Sequence, residues 1–212
     1  MTLKLYLLRH GETTYSRSGG YCGVTNPELT SEGTRMAQGF ADCYKDMNWE
    51  AIYVSPLKRT LATAKPLSEA VGLELQVREG LREMDFGTWE GNSTEWVQQN
   101  LANDYIRWLT EPAWNPPTDG ETGVEVSGRA MAVISEIREK HPKGNVLIVS
   151  HKTTIRLILC NLLGIDLGRY RDRITALAAS LSLVSFDVHG PMLEVLGDRY
   201  HIPEDLRDRL GT

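Results

Sequence analysis

Two histidines and two arginines follow short apolar runs of the chain. Arg9 and His10 come after residues 3–8, Arg59 comes shortly after residues 51–54, and His151 comes after residues 145–149 and Ser150. Each residue alone is typical of a surface loop or a helix start. Because the carboxyl ends of parallel strands meet at one edge of a sheet, we expect all four side chains to lie in one site at that edge.

This set of side chains suits phosphoryl transfer. A neutral imidazole is a competent nucleophile near neutral pH, and guanidinium groups hold a phosphoryl group by bidentate, charge-assisted hydrogen bonds. Such a transfer needs mainly positioning and charge stabilisation. The sequence has no Asp/His cluster with metal-ligand spacing and no glycine loop ending in Lys-Ser/Thr. We therefore predict a small phosphorylated metabolite as substrate, with no metal and no cofactor.

A proton donor for the leaving oxygen is the least certain part of the set. Glu83 is the best candidate, because it lies among apolar residues and is expected to be partly buried. Glu12 and Asp85 are rivals on composition alone. The residues by themselves leave this choice open.

The elements that must position these residues alternate between strand and helix along the chain. This order predicts an α/β fold, a three-layer sandwich whose mostly parallel central sheet is flanked by helices. Near-continuous apolar runs predict buried strands, and helical spacing of apolar residues predicts the helices. The predicted strands are residues 3–8, 51–54 and 145–149, the helices are 32–44, 58–71, 125–140 and 154–163, and a late hairpin pairs 180–187 with 192–195.

The length of 212 residues fits a single domain over residues 1–212. Residues 92–123 differ from the rest, since they contain three tryptophans (96, 108 and 114) and a Pro-Pro-Thr-Asp-Gly loop. We interpret this stretch as a lid-like insertion, part helix and part loop. No internal repeat or domain linker is evident.

Composition limits the classes of partner. The net charge of −5, with no concentrated basic block, argues against nucleic acid. No apolar run approaches the roughly 20 residues that cross a bilayer, so no membrane association is expected. Three cysteines without paired spacing favour a reduced, cytoplasmic setting. No clear dimer face is evident, and a homodimer is left open.

Five segments of the chain, in order, resemble the motifs of one known family. Residues 8–13, Leu-Arg-His-Gly-Glu-Thr, are similar to the signature of the histidine phosphatase superfamily, also called the phosphoglycerate mutase-like family. The other segments are residues 27–33, residues 55–64, residues 81–91, and residues 120–122 followed by 149–151. The resemblance covers nearly the whole chain and implies a phosphoglycerate mutase-like fold.

The resemblance also implies a role for each matching residue. His10 would be the nucleophile that becomes phosphohistidine. Arg9, Arg59 and His151 would bind the transferred phosphoryl group and stabilise its charge. Glu83 would protonate the leaving oxygen and then activate the hydrolytic water, which resolves the choice of acid.

Three positions depart from the family pattern. Ser16 stands where an asparagine is common, and its hydroxyl is a candidate contact to a phosphate oxygen. Lys152 stands where a glycine is common, and it is a candidate contact to an anionic group of the substrate such as a carboxylate. Residues 21–25 form the loop that often contacts phosphate or substrate, so Cys22 and Gly23 are further candidates, although Cys22 is more typical of a packed side chain than of a second nucleophile.

The resemblance leaves activity and substrate partly open. Family mutases tend to carry added segments around the mouth, and the short span between Glu83 and His151 favours a phosphatase. The alternatives are phosphoglycerate mutase-type transfer and a non-catalytic phosphate-binding module. Residues 150–167 are similar to metal-independent phosphoserine phosphatases, some of which carry a histidine in place of Phe86. Sugar-acid phosphates are the other candidate substrates, and roles for Tyr200 and His201 in the C-terminal segment are left open.

Overall fold

The computed structural model describes residues 2–209 and residue 211. Its centre is a mixed six-stranded sheet with the strand order β3-β2-β4-β1-β5-β6. The first four strands in that order run parallel, whereas β5 and β6 are antiparallel to their neighbours. The strands are β1 (Leu3–Arg9), β2 (Trp49–Val54), β3 (Leu75–Val77), β4 (Gly144–Ser150), β5 (Leu181–Asp187) and β6 (Gly190–Asp198).

Local sequence signals set the ends of the main helices. The Thr30 hydroxyl accepts a hydrogen bond from the first turn of α2, and Thr122 with Glu125 forms a capping box at the start of α6. Gly164 ends α7 in the left-handed conformation. The helices are α1 (Thr14–Ser18), α2 (Ser31–Tyr44), α3 (Lys58–Val71), α4 (Thr94–Asn100), α5 (Ala102–Thr110), α6 (Gly123–Lys140), α7 (Lys152–Leu163) and α8 (Tyr170–Arg173). None of the described helices is long and apolar enough to cross a membrane.

Alternate residues of the central strands point to opposite faces of the sheet. In β1, Leu5 and Leu7 pack with the apolar residues of α6 and α7, whereas Leu8 packs with those of α2 and α3. β4 alternates in the same way. The helices therefore cover both faces, which confirms the predicted three layers.

The structure confirms the predicted strands and long helices to within a few residues. It adds three short elements that the sequence did not reveal, namely β3, α1 and α8, because three to five residues are too few to show a period. Residues 92–123 do contain helix and loop, as α4, α5 and the turn before α6. That this stretch acts as a lid stays a prediction.

Strand pairing brings the site residues to one edge of the sheet. Arg9 at the end of β1 pairs with Ser150 at the end of β4, and the His10 amide donates to the Ser150 carbonyl at 3.0 Å. On the other side of β4, the Ser55 amide donates to the Val149 carbonyl at 3.1 Å. The carboxyl ends of β1, β4 and β2 therefore lie side by side.

A close approach between two backbones fixes the loop after β1. A Cβ at Gly33, in the first turn of α2, would overlap the carbonyl group of Glu12. Only glycine leaves room for the helix to contact this loop directly. The Glu12 carboxylate strengthens the same junction, because it accepts hydrogen bonds from Arg17 at 3.0 Å and from the Thr30 hydroxyl at 2.9 Å.

Candidate active site

A cavity of about 640 Å³ opens at this edge of the sheet, a volume typical of small-molecule sites. Seven of the nine predicted site residues line it, and His151 and Gly23 do not. The rival acids, Glu12 and Asp85, do not line it either. The seven are Arg9, His10, Ser16, Cys22, Arg59, Glu83 and Lys152.

His10 is held in the form that a nucleophile requires. Its Nδ1 lies 2.8 Å from the Gly11 carbonyl oxygen, which only accepts, so Nδ1 carries the proton and Nε2 keeps its lone pair. Burial lowers the pKa of His10 well below its ordinary value, and the positive charges of Arg59 and Arg9 lower it further. The imidazole is therefore neutral at physiological pH.

Arg59 and His151 form a hydrogen-bonded pair beneath the cavity. Arg59 Nε donates to His151 Nδ1 at 3.2 Å, so His151 Nε2 carries the proton and donates to the Ser55 hydroxyl at 2.8 Å. Burial, and then Arg59, keep the pKa of His151 well below its ordinary value. The His151 ring packs against that of His10 at 5.2 Å between centroids. Direct contact of His151 with a phosphate would require one of these two hydrogen bonds to be exchanged.

Both predicted phosphate-binding arginines are anchored by backbone carbonyls. Arg59 donates to the Thr25 carbonyl at 2.8 Å and to the Gly23 carbonyl at 2.9 Å, so the loop over residues 21–25 holds the guanidinium in place. Arg9 donates to the Ala176 carbonyl at 2.8 Å and to the Gly211 carbonyl at 3.1 Å. Burial lowers the pKa of Arg9 to about 10, which leaves it charged at neutral pH.

Glu83 lies at the N-terminus of α7. Its carboxylate accepts hydrogen bonds from the backbone amides of Met84 at 2.9 Å and Thr153 at 3.1 Å. Its own carbonyl accepts from Arg129 at 3.0 Å. The side chain is only 5% exposed, so the structure places a fixed carboxyl group at the wall of the cavity.

Of the four remaining predicted substrate contacts, three line the cavity and one does not. Ser16 is buried at the cavity, where its hydroxyl accepts from the Thr13 amide at 2.9 Å and completes a capping box for α1. The Cys22 thiol has a pKa raised to about 11 by burial, which agrees with a packed side chain rather than a second nucleophile. The structure does not bring Gly23 to the cavity, because its amide donates to Glu90 Oε1 at 2.8 Å. Lys152 does line the cavity.

Several lining residues were not identified from the sequence. Arg156, Tyr170, Arg171 and Trp108 form the side of the cavity built by α5, α7 and α8. Arg156 could have been found, since it lies four residues after Lys152 and therefore on the same face of α7. The C-terminal residues left open earlier lie elsewhere: Tyr200 is largely exposed and His201 packs against Phe40.

Within residues 2–209 and 211, no three His, Cys, Asp or Glu side chains are grouped as a metal site would require. What the described site offers is a neutral imidazole beside two buried arginines and a carboxyl group. The histidine phosphatase superfamily (branch 1) profile matches residues 5–199 of the sequence. This chain belongs to the histidine phosphatase superfamily.

Curated relatives of this superfamily member include phosphatases. Phosphoserine phosphatase 1 of Hydrogenobacter thermophilus is 34% identical over 168 residues, which cover 79% of this chain and 80% of the relative. The adenosylcobalamin/alpha-ribazole phosphatase of Escherichia coli is 30% identical over 162 residues, which cover 76% of this chain and 80% of the relative.

The fold agrees with solved members of the superfamily. A structure of a phosphoserine phosphatase variant from Entamoeba histolytica in complex with phosphoserine has a TM-score of 0.84 and 27% identity, covering 95% of this chain and all of that one. Family, relatives and fold together make this histidine phosphatase an enzyme that hydrolyses small phosphomonoesters.

Proposed function

We propose that this histidine phosphatase hydrolyses a small phosphorylated metabolite through a phosphohistidine at His10. The observation that carries the proposal is the hydrogen bond from His10 Nδ1 to the Gly11 carbonyl. It leaves a lone pair on Nε2 of a neutral ring at the cavity wall, with Arg9 and Arg59 beside it. A neutral imidazole between two cations is suited to attack an anionic phosphoryl group.

In the first step, His10 Nε2 forms a bond to phosphorus while the bond from phosphorus to the ester oxygen breaks. Arg9 and Arg59 stabilise the charge on the equatorial oxygens, and Glu83 donates a proton to the leaving oxygen. In the second step, Glu83 takes a proton from water, and the resulting hydroxide attacks phosphorus. The N–P bond breaks, its electron pair returns to Nε2, and phosphate leaves.

The remaining predicted residues support these steps. In our proposal His151 holds Arg59 Nε, and it reaches the phosphoryl group once the substrate displaces one of its hydrogen bonds. Ser16, Cys22 and Lys152 contact the substrate at the cavity wall, whereas Gly23 acts through its carbonyl on Arg59. No step requires a metal, so activity is expected to survive a chelator.

Trapping the intermediate tests the nucleophile. Wild-type enzyme mixed with ³²P-labelled substrate and quenched in alkali should carry an acid-labile phosphohistidine, and His10→Ala should carry none while unfolding at a similar temperature. Release of free phosphate, rather than interconversion of phosphoglycerates, separates hydrolysis from mutase-type transfer. Wild-type turnover by His10→Ala would contradict the proposal, and a wild type that never labels would point to a non-catalytic phosphate-binding module.

Leaving-group dependence tests the acid. Glu83→Gln keeps the shape of the side chain and one of its two accepting oxygens, but it removes the acidic proton. Its NH2 group cannot accept a hydrogen bond, so the contact to the Met84 or to the Thr153 amide is lost. We expect a large loss with alkyl phosphates, whose alkoxides need protonation, and a small loss with p-nitrophenyl phosphate. Equal losses for both substrates would exclude the role.

The relatives and the cavity support a proposal for the substrate class. Phosphoserine and sugar-acid phosphates are the candidates, because the relatives include phosphoserine phosphatases and the cavity has cations beyond the phosphate site. Phe86 lines the cavity where some phosphoserine phosphatases carry a histidine, so a sugar-acid phosphate stays a candidate. A cytoplasmic location stays a prediction, and it agrees with the three free cysteines. A homodimer and the absence of nucleic-acid and membrane partners also stay predictions.

A further inference from the structure

One side of the cavity carries positive charge that the proposed chemistry does not use. Lys152 and Arg156 lie one turn apart on α7, about 6 Å along the helix axis, and Arg171 lies on α8. All three line the same cavity as His10. The phosphoryl group already has Arg9 and Arg59, so these cations require a separate explanation.

Among the residues that the structure describes, no carboxylate forms an ion pair with any of the three cations, although the charge of Glu83 acts on Lys152 and Arg156 without contact. Within the described residues, Lys152 and Arg156 make no hydrogen bond or ion pair, and Arg156 Nε is buried without a partner. Arg171 stacks on Trp108, with its guanidinium carbon 3.8 Å from the ring centroid. Lys152, Arg156 and Arg171 are partly buried. Because a cation that is partly withdrawn from water and has no ion-pair partner is costly, this arrangement favours an anionic ligand.

The acidic side chains at this cavity are engaged elsewhere or exposed. The Glu83 carboxylate is held by backbone amides, and Asp172 pairs with Arg169 at 2.9 Å. Glu95 is exposed on α4. None of the three forms an ion pair with Lys152, Arg156 or Arg171 in the part of the chain that the structure describes.

We propose that Lys152, Arg156 and Arg171 form a second anion subsite, so that the substrate is a phosphomonoester with a second anionic group. A carboxylate or a second phosphate has the required chemistry, because a guanidinium binds either one by two parallel hydrogen bonds. The Tyr170 hydroxyl, buried without a partner at the same wall, is a further donor. This inference rests on the proposed function, since it assigns the phosphoryl group to the other end of the cavity.

Binding of phosphonates tests the subsite without turnover. Butylphosphonate carries one anion, 4-phosphonobutyrate adds a carboxylate, and 1,4-butanediyl bisphosphonate adds a second phosphonate on the same chain. By isothermal titration calorimetry at pH 6, where Lys152 is charged, we expect wild-type enzyme to bind at least one two-anion ligand about tenfold more tightly than butylphosphonate, which equals about 1.4 kcal/mol. Which of the two binds better distinguishes a carboxylate substrate from a bisphosphate.

Variants then locate the effect. Arg156→Gln should reduce the preference at least fivefold, Arg156→Lys should keep part of it, and Lys152→Gln should weaken it independently. Arg138→Gln removes a positive charge from the far end of α6 and should leave the preference unchanged. Thermal unfolding of each variant checks the fold, and Lys152→Gln replaces Arg156→Gln if the latter does not fold.

Two results would overturn the subsite. One is equal affinity of the wild type for butylphosphonate and both two-anion ligands, and the other is a preference that survives Arg156→Gln and Lys152→Gln together. Failure of the proposed function is a separate result, because it shows as no phosphate release from p-nitrophenyl phosphate. An enzyme that hydrolyses this aryl ester but binds all three phosphonates equally keeps its mechanism and lacks the second subsite.

Discussion

Replacing Lys152 by methionine should stabilise this protein, most strongly at low pH. The pKa of Lys152 is lowered from 10.5 to about 7, first by burial and then by the charges of Arg9 and Arg156, against a smaller opposing effect of Glu83. This difference corresponds to a cost of about 5 kcal/mol for the charged amine in the folded state, an upper value before the site relaxes. Methionine occupies a similar volume without the charge.

The pH window follows from proton counting. Below pH 7 the lysine is charged in both the folded and the unfolded state, and the folded state bears the whole cost. Between pH 7 and 10.5 the unfolded state binds more protons, so the stability contributed by this group rises with pH. The advantage of Lys152→Met should therefore be largest at pH 6 and should shrink steadily as the pH rises toward 10.5.

Urea denaturation at pH 6, 7.5 and 9 measures this effect. We expect Lys152→Met to gain at least about 1 kcal/mol at pH 6, and to gain measurably less at pH 9. Lys143→Met, in the exposed turn before β4, is the matched control and should change stability by less than about 0.5 kcal/mol at every pH. A destabilised variant, or the same gain at pH 6 and pH 9, would show that the Lys152 charge is well solvated and would refute the reasoning.

Three further predictions concern the frame of the site. Gly33→Ala should lower the free energy of unfolding, measured in urea, by about 2 kcal/mol or more, because its methyl group meets the Glu12 carbonyl in the loop after β1. The control Gly128→Ala on α6 has open space around it and should raise the free energy of unfolding by up to about 1 kcal/mol. Equal effects of the two substitutions would disprove the close approach. Arg129→Met should lower the free energy of unfolding by about 2–4 kcal/mol and should also lower kcat, because the Arg129 guanidinium donates to the Glu83 carbonyl and so positions Glu83. An unchanged kcat would exclude this positioning role. By ¹⁵N NMR, the His10 ring should stay neutral with the proton on Nδ1 from pH 8 down to pH 6, because its pKa is lowered; a titration near pH 6.5 would contradict this.

The sequence by itself was sufficient for the α/β fold and for the placement of Arg9, His10 and Arg59 at one edge of the sheet. Apolar runs and helical periods report burial directly, so β1, β4, α3 and α7 could be located without any coordinates. The common position of Arg9, His10 and Arg59 was predictable because parallel strands end at a common edge. Elements of three to five residues, such as β3 and α8, carry no periodic signal and could not be found this way.

The tertiary structure alone decided how each side chain is used. Sequence spacing cannot tell that His151 donates to Ser55 and accepts from Arg59, because those partners are 96 and 92 residues away. It also cannot tell that the Gly23 amide is bound by Glu90.

The cations at the proposed second subsite also show which features the sequence determines and which only the tertiary structure determines. Lys152 and Arg156 share a helix face by their spacing alone, so the sequence determines that they point the same way. Whether carboxylates neutralise them depends on which distant segments pack nearby. Hydrogen bonds and charge pairs form between groups that are close in space, and only the folded chain fixes those distances.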